Sequence, residues 1–151
     1  MHKYIVSDTS CLILFEKINS LELLNLTYGL IFLTPEVANE YGKDLQTWMK
    51  VIKVKDQQKQ SEFEKMVDLG EASAIALALE LPDSVLIIDD KRGRILAANL
   101  NISITGTLGT LLKAKQLNVI SKVKPYLEKL KQIDYRISKE IELEVLNRAE
   151  E

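Results

Sequence analysis

Ser84-Val85-Leu86-Ile87-Ile88-Asp89-Asp90 decides the fold. No polar residue interrupts Val85 to Ile88, so the run lacks the alternation of a half-exposed strand. It reads as a strand covered on both faces, as in parallel sheets enclosed by helices. Two adjacent acids at its end gain nothing from a core, and functional crevices lie at the carboxyl ends of parallel strands. Outward from this run, Pro82-Asp83 makes the preceding turn. Before it, Glu71 to Leu79 is alanine-rich and apolar on nearly every side, as a helix packed closely on a sheet must be. Downstream, a helix is expected over Arg92 to Leu100, a strand over Ile102 to Thr105, and a helix over Leu108 to Lys115 opened by Gly106-Thr107.

The N-terminal half repeats the alternation. Tyr4 to Ser7 is β-prone and ends at Asp8, with Thr9 and Ser10 as expected N-caps for a helix over Cys11 to Ile18. A second helix is expected over Ser20 to Leu26 and a strand over Leu30 to Leu33. Thr34-Pro35-Glu36 then starts a helix that Gly42 ends. Asp44 to Lys50 reads as helical, Val51 to Val54 as a minor edge strand, and Gln57 to Leu69 as an amphipathic helix. Strands alternating with helices predict an α/β fold with a mostly parallel sheet, because parallel neighbours need helical crossovers. Helices over about Ser121 to Ile133 and Ser138 to Arg148 form a C-terminal extension. The expectation is one domain over 1–151, with a core of about 3–120 and C-terminal helices over about 121–149.

Composition narrows the chemistry. The 151 residues include one cysteine, Cys11, and one histidine, His2. An intrachain disulfide and a cysteine-based zinc cluster are therefore excluded, and a histidine-based catalytic group at the chain end is not expected. Catalysis must rest on carboxylates. No apolar stretch approaches the roughly 20 residues that span a bilayer, and a cytoplasmic location is expected. The 20 basic and 22 acidic residues are unevenly placed: acids dominate from Asp56 to Asp90, bases from Lys113 to Lys139. Both are readable as solvated helix faces, yet an acidic centre beside a basic flank also suits a polyanionic substrate.

Asp8 and Asp89-Asp90 close two strands, Glu71 opens the buried helix, and Glu40 lies on the helix after the second strand. Gathered at one sheet edge, these carboxylates repel one another, so some must protonate or a cation must neutralise them. Oxygen-only donors suit Mg2+ or Mn2+, which can serve phosphodiester hydrolysis. Each acid also has a plainer reading: Asp8 and Glu71 as helix-start acids, Glu40 as a solvent-facing residue. Asp89 is preferred over Asp90, since neighbouring strand residues point opposite ways. Ser10 is readable as a helix cap or a partner of a ligand carboxylate, and Thr107 as a cap or a phosphate-binding helix start. Lys91, Arg92 and Arg94 either bind a nucleic-acid backbone or pair with local acids, and Cys11 is a small core residue.

In the order Asp8-Thr9-Ser10, Thr34 to Glu40, Gly70-Glu71-Ala72-Ser73-Ala74-Ile75-Ala76 and Ile87-Ile88-Asp89-Asp90, the chain resembles the PIN-domain superfamily of nucleases over about residues 3–120. Asp89-Asp90-Lys91-Arg92-Gly93-Arg94 and Thr105 to Leu112 are similar to one prokaryotic PIN-like branch. The resemblance implies a three-layer α/β/α fold and a Mg2+- or Mn2+-dependent endoribonuclease. It also implies a frequent role as the toxin of a toxin–antitoxin pair, with RNA as substrate, an antitoxin protein as partner and a homodimeric state. Asp8, Glu40, Glu71 and Asp89 are then the catalytic acids, with Asp8, Glu71, Asp89 and Asp90 as metal ligands. Ser10 matches the hydroxyl that follows the first aspartate, with Thr107, Lys91 and Arg92 as substrate-binding or supporting residues. Glu71 stands where aspartate is more usual, and Ile87 or Ile88 replaces a hydroxyl residue near the last acid. The competing expectation is a catalytically weak module that binds RNA or a protein through the C-terminal helices. A phosphatase or phosphoacceptor domain is disfavoured, because Ser10 stands where the former needs an aspartate and the acidic pair comes too late for the latter.

Overall fold

In the computed structural model, which describes residues 4–151, every strand pairing is parallel. Met1, His2 and Lys3 lie outside the described residues, and with them the single histidine and the first residue of the expected core. The strands β1 (Tyr4–Ser7), β2 (Ile31–Leu33), β3 (Met49–Val51), β4 (Ser84–Ile87) and β5 (Ser103–Thr105) form one sheet in the order β3-β2-β1-β4-β5. The chain steps from β1 outward to β2 and β3, then returns to the other side of β1 as β4. Strand order thus reverses between β1 and β4, and such a reversal opens a crevice at the carboxyl edge. Register aligns Ser7 with Ile87 and Ile87 with Thr105, so the residues after these three strands meet at that edge.

Helices α1 (Thr9–Lys17) and α2 (Glu22–Tyr28) join β1 to β2, and α3 (Pro35–Tyr41) joins β2 to β3. The return crossover is α4 (Gln57–Phe63) and α5 (Leu69–Glu80), followed beyond β4 by α6 (Lys91–Asn99) and beyond β5 by α7 (Thr107–Gln116), α8 (Lys124–Gln132) and α9 (Lys139–Arg148). The result is the three-layer α/β/α architecture expected. Ala72 to Ala78 are all buried, because small side chains let α5 lie close on β1 and β4. Burying Ile75 or Leu77 there stabilises the fold by roughly 2 kcal/mol each. On the other flank α7 packs against α2 and α9, which ties the C-terminal helices to the sheet.

Four expectations for local structure are corrected. Asp44 to Lys50 is not a helix: Gly42 ends α3 in the left-handed region, the chain runs irregularly, and Trp48 and Met49 are buried where β3 begins. Pairing of Met49–Val51 with Ile31–Leu33 decides this, and it moves the edge strand two residues ahead of the expected Val51 to Val54. The helix expected over Gln57 to Leu69 breaks after Phe63, because Asp68 and Glu71 form a capping box that starts α5 afresh. Finally, neither Thr9 nor Ser10 caps α1. Asp8 does, its Oδ1 accepting from the Cys11 amide at 3.0 Å. Thr34 caps α3 as expected, and Cys11 lies in the core.

Candidate metal centre

Asp8 leaves β1 with its amide bonded to Ile87 O, then turns into α1. Its side chain is 1% exposed, and while Oδ1 accepts from Cys11, Oδ2 is buried with no hydrogen-bond partner. Burial, then the charges of Asp89 and Asp68, raise its pKa to about 7 against the lowering effect of the Cys11 N–H. Glu71, in the first turn of α5, is also raised to about 7, by desolvation first and then by Asp68, Asp90 and Asp8. The sequence thus delivers acids from β1, α5 and β4 to one edge, where they feel one another.

Asp89 is held differently. Thr107 donates its amide to Oδ1 at 2.8 Å and its hydroxyl to Oδ2 at 2.6 Å. Gly106 makes room for this: a Cβ there would fall 2.3 Å from Asp89 Oδ1 and 3.0 Å from Arg94 Nη1. The Thr107 amide is therefore engaged rather than open to a phosphate, and Thr107 positions Asp89. Asp90 caps α6, with Oδ2 accepting from the Gly93 amide at 2.9 Å. Glu40 reaches the same edge from α3. Its Oε1 accepts from Thr9 Oγ1 at 2.7 Å and lies 2.1 Å from where a Cβ on Gly70 would stand.

A family model described as a PIN domain matches residues 4–151. The chain belongs to the PIN-domain family. PIN domains have a nuclease-type fold, are generally nucleases and typically use divalent metals. The match runs through α8 and α9, so these helices lie inside the family's span rather than beyond the expected 3–120. No curated protein and no solved structure matches the chain.

Within this PIN domain the expected residues divide. Asp8, Glu71, Asp89 and Asp90 are linked by mutual charge, and Glu40 stands beside them through Thr9 and Gly70. Ser10, Lys91 and Arg92 are exposed and make no hydrogen bond or ion pair among the described residues. Two residues were not expected. Asp68 caps α5 through the Glu71 amide at 2.9 Å and its charge raises both Asp8 and Glu71; the Asp68-x-x-Glu71 spacing was the available signal. Tyr135, between α8 and α9, has its phenol pushed well up by burial first and then by the Asp89 charge, while Arg94 opposes the shift. No local pattern marks that tyrosine, because only the packing of the C-terminal helices brings it to Asp89.

Among the described residues, no three of His, Cys, Asp and Glu converge closely enough to ligate one ion as the side chains stand. The donor chemistry nevertheless fits a hard divalent cation. All donors are carboxylate oxygens, and the unpartnered buried oxygen of Asp8 lacks the positive partner that a buried charge requires. Among the described residues no helix is long and apolar enough to cross a membrane.

Proposed function

We propose that the protein is a Mg2+- or Mn2+-dependent endoribonuclease that hydrolyses RNA phosphodiester bonds. The observation that carries this reading is Asp8: a carboxylate 1% exposed, one oxygen unpartnered, at the strand-order reversal with Asp68, Glu71 and Asp89 around it and Asp90 beside Glu71. Asp8, Glu71, Asp89 and Asp90 would hold the cation, which supplies Lewis acidity and an activated water when bound. The chain's own contribution is positioning. Thr107 fixes both oxygens of Asp89, the Cys11 amide orients Asp8 so that its other oxygen faces the acidic group, and Thr9 steers Glu40 to its rim. Without a cation, Asp8 and Glu71 hold protons up to about pH 7.

A toxin role follows as part of the proposal. The acidic group would accept a basic side chain from an antitoxin, and homodimerisation is testable by gel filtration. The reading is tested by incubating purified protein with single-stranded RNAs, with Mg2+, with Mn2+ and with chelator. Metal-dependent cleavage that falls at least about 100-fold in Asp8→Asn, with cooperative unfolding retained, is the expected result. Full activity in that variant would overturn the role of Asp8. One observation favours a second reading, a module that binds RNA without cutting it: both Asp89 oxygens are already engaged by Thr107. Salt-sensitive RNA binding with no turnover and no metal uptake would establish that alternative.

A further inference from the structure

Beside Asp89 a cleft of about 370 Å³ opens between α7 and α9. Asp89, Arg94, Leu112, Tyr135, Glu144 and Arg148 are among its lining residues. It is in the size range of small-ligand sites, roughly 300–1,000 Å³, and so has room for one nucleotide. Arg94 is half-buried, and the one hydrogen bond of its side chain among the described residues runs from Nη1 to Ile88 O at 2.7 Å. A guanidinium carries five N–H donors, so most remain for an anion. Arg148 donates from Nη2 to Glu144 Oε1 at 2.7 Å, with both side chains more than half exposed. Past Leu112 and Arg148 the cleft continues into a second one bordered by Lys113 and Lys115. Lys113 makes no ion pair among the described residues. Lys115, by contrast, is held by Ala149 O and Glu151. A half-exposed aromatic ring followed by cations such as Arg148 and Lys113 is the pattern by which proteins hold single strands, with bases stacked and phosphates neutralised.

Resting on the ribonuclease reading, we propose that this cleft is a subsite for single-stranded RNA. One unstacked nucleotide next to the scissile phosphate lies against Tyr135, its phosphate is held by Arg94 and Arg148, and the strand leaves along α7 past Lys113. Glu144 moderates the site by occupying Arg148.

The test separates binding from cutting. Anisotropy of a fluorescently labelled RNA octamer is measured in chelator, alongside a blunt duplex of the same sequence. The wild type is expected to bind the single strand more tightly than the duplex. Tyr135→Leu should weaken single-strand binding about 10-fold, whereas Tyr135→Phe, which keeps the ring, should stay within about 2-fold. Arg148→Glu, at an exposed position, should weaken binding by about 10-fold and flatten its salt dependence, and Glu144→Gln should strengthen it. Thermal melts of each variant identify any that fail to fold, and the Phe and Gln variants keep the proposal falsifiable if the Leu variant does. Single-strand binding unaffected by Tyr135→Leu and Arg148→Glu, equal binding of the duplex, or no binding of RNA at all would overturn the subsite. Cleavage assays on the same proteins distinguish the two readings. RNA bound through Tyr135 but never cut removes the nuclease assignment alone, and metal-dependent cleavage with binding blind to these variants removes the subsite alone.

Discussion

Asp8 and Asp89 close neighbouring strands of one sheet, β1 and β4, but the fold treats their oxygens differently. Asp89 accepts two hydrogen bonds from Thr107, one on each oxygen, and is tied to the start of α7. Asp8 receives one bond from the start of its own helix, and its second oxygen is buried without a partner. The first arrangement fixes a carboxylate in place; the second stores a cost that a proton or a cation relieves. A site that needs both a rigid acid and a responsive one obtains them from two neighbouring strand ends by changing which helix supplies the donors.

The sharpest way to break this comparison is to titrate it. Asp8 has a folded-state pKa of about 7 against an ordinary value of 3.8, so the folded protein takes up the proton first as pH falls. Above pH 7 the metal-free fold carries the whole penalty. Between about pH 7 and pH 4 acidification relieves it, by up to about 4 kcal/mol for a shift of this size. In chelator, the melting temperature of the wild type should therefore rise from pH 8 to pH 5.5 relative to Asp8→Asn. At pH 8 the variant should be the more stable of the two, by about 5–10 °C at most. Added Mg2+ or Mn2+ should stabilise the wild type at pH 8 and have little effect on the variant. Parallel melting curves for the two proteins across this pH range would show that Asp8 carries no buried charge.

Asp89 should respond to its donor rather than to pH. Thr107→Val keeps the shape of the side chain and deletes the hydroxyl that reaches Oδ2, so a half-buried acceptor loses its partner. The expected cost is about 1–3 kcal/mol, read from denaturant midpoints at pH 7. An unchanged midpoint would mean that water replaces the hydroxyl and that Asp89 is less fixed than the structure shows.

How much of this was legible beforehand follows from the kind of signal each feature left. The apolar run Val85 to Ile88 and the alanine-rich α5 announced a covered parallel sheet, because burial on every side writes itself into consecutive residues. The expected grouping of Asp8, Asp89 and Asp90 followed from strand ends in such a sheet, and that of Glu71 from the start of the helix leading into β4. Short edge elements were not legible: β3 exists because Met49–Val51 finds β2, a tertiary event that no local pattern encodes. Asp68 was readable as a cap but not as a neighbour of Asp8, and Tyr135 reaches Asp89 only because α7 and α9 pack together.

The two glycines beside the acids extend the contrast to its smallest expected effect. Gly106 and Gly70 each leave the space of a missing Cβ to a carboxylate, Asp89 in one case and Glu40 in the other. Asp89 is short and pinned by Thr107, so Gly106→Ala forces a buried contact to shift and should cost about 1–3 kcal/mol. Glu40 is long, exposed and held by one hydrogen bond from Thr9, so it can swing aside. Alanine is also the better helix former at Gly70, by up to about 1 kcal/mol, which offsets the lost contact. Gly70→Ala should therefore leave the denaturant midpoint within about 0.5 kcal/mol of the wild type while displacing the Glu40 carboxylate. That makes it the cleanest probe of Glu40: a fall in RNA cleavage at unchanged stability places Glu40 in the chemistry, and unchanged cleavage leaves it a rim residue.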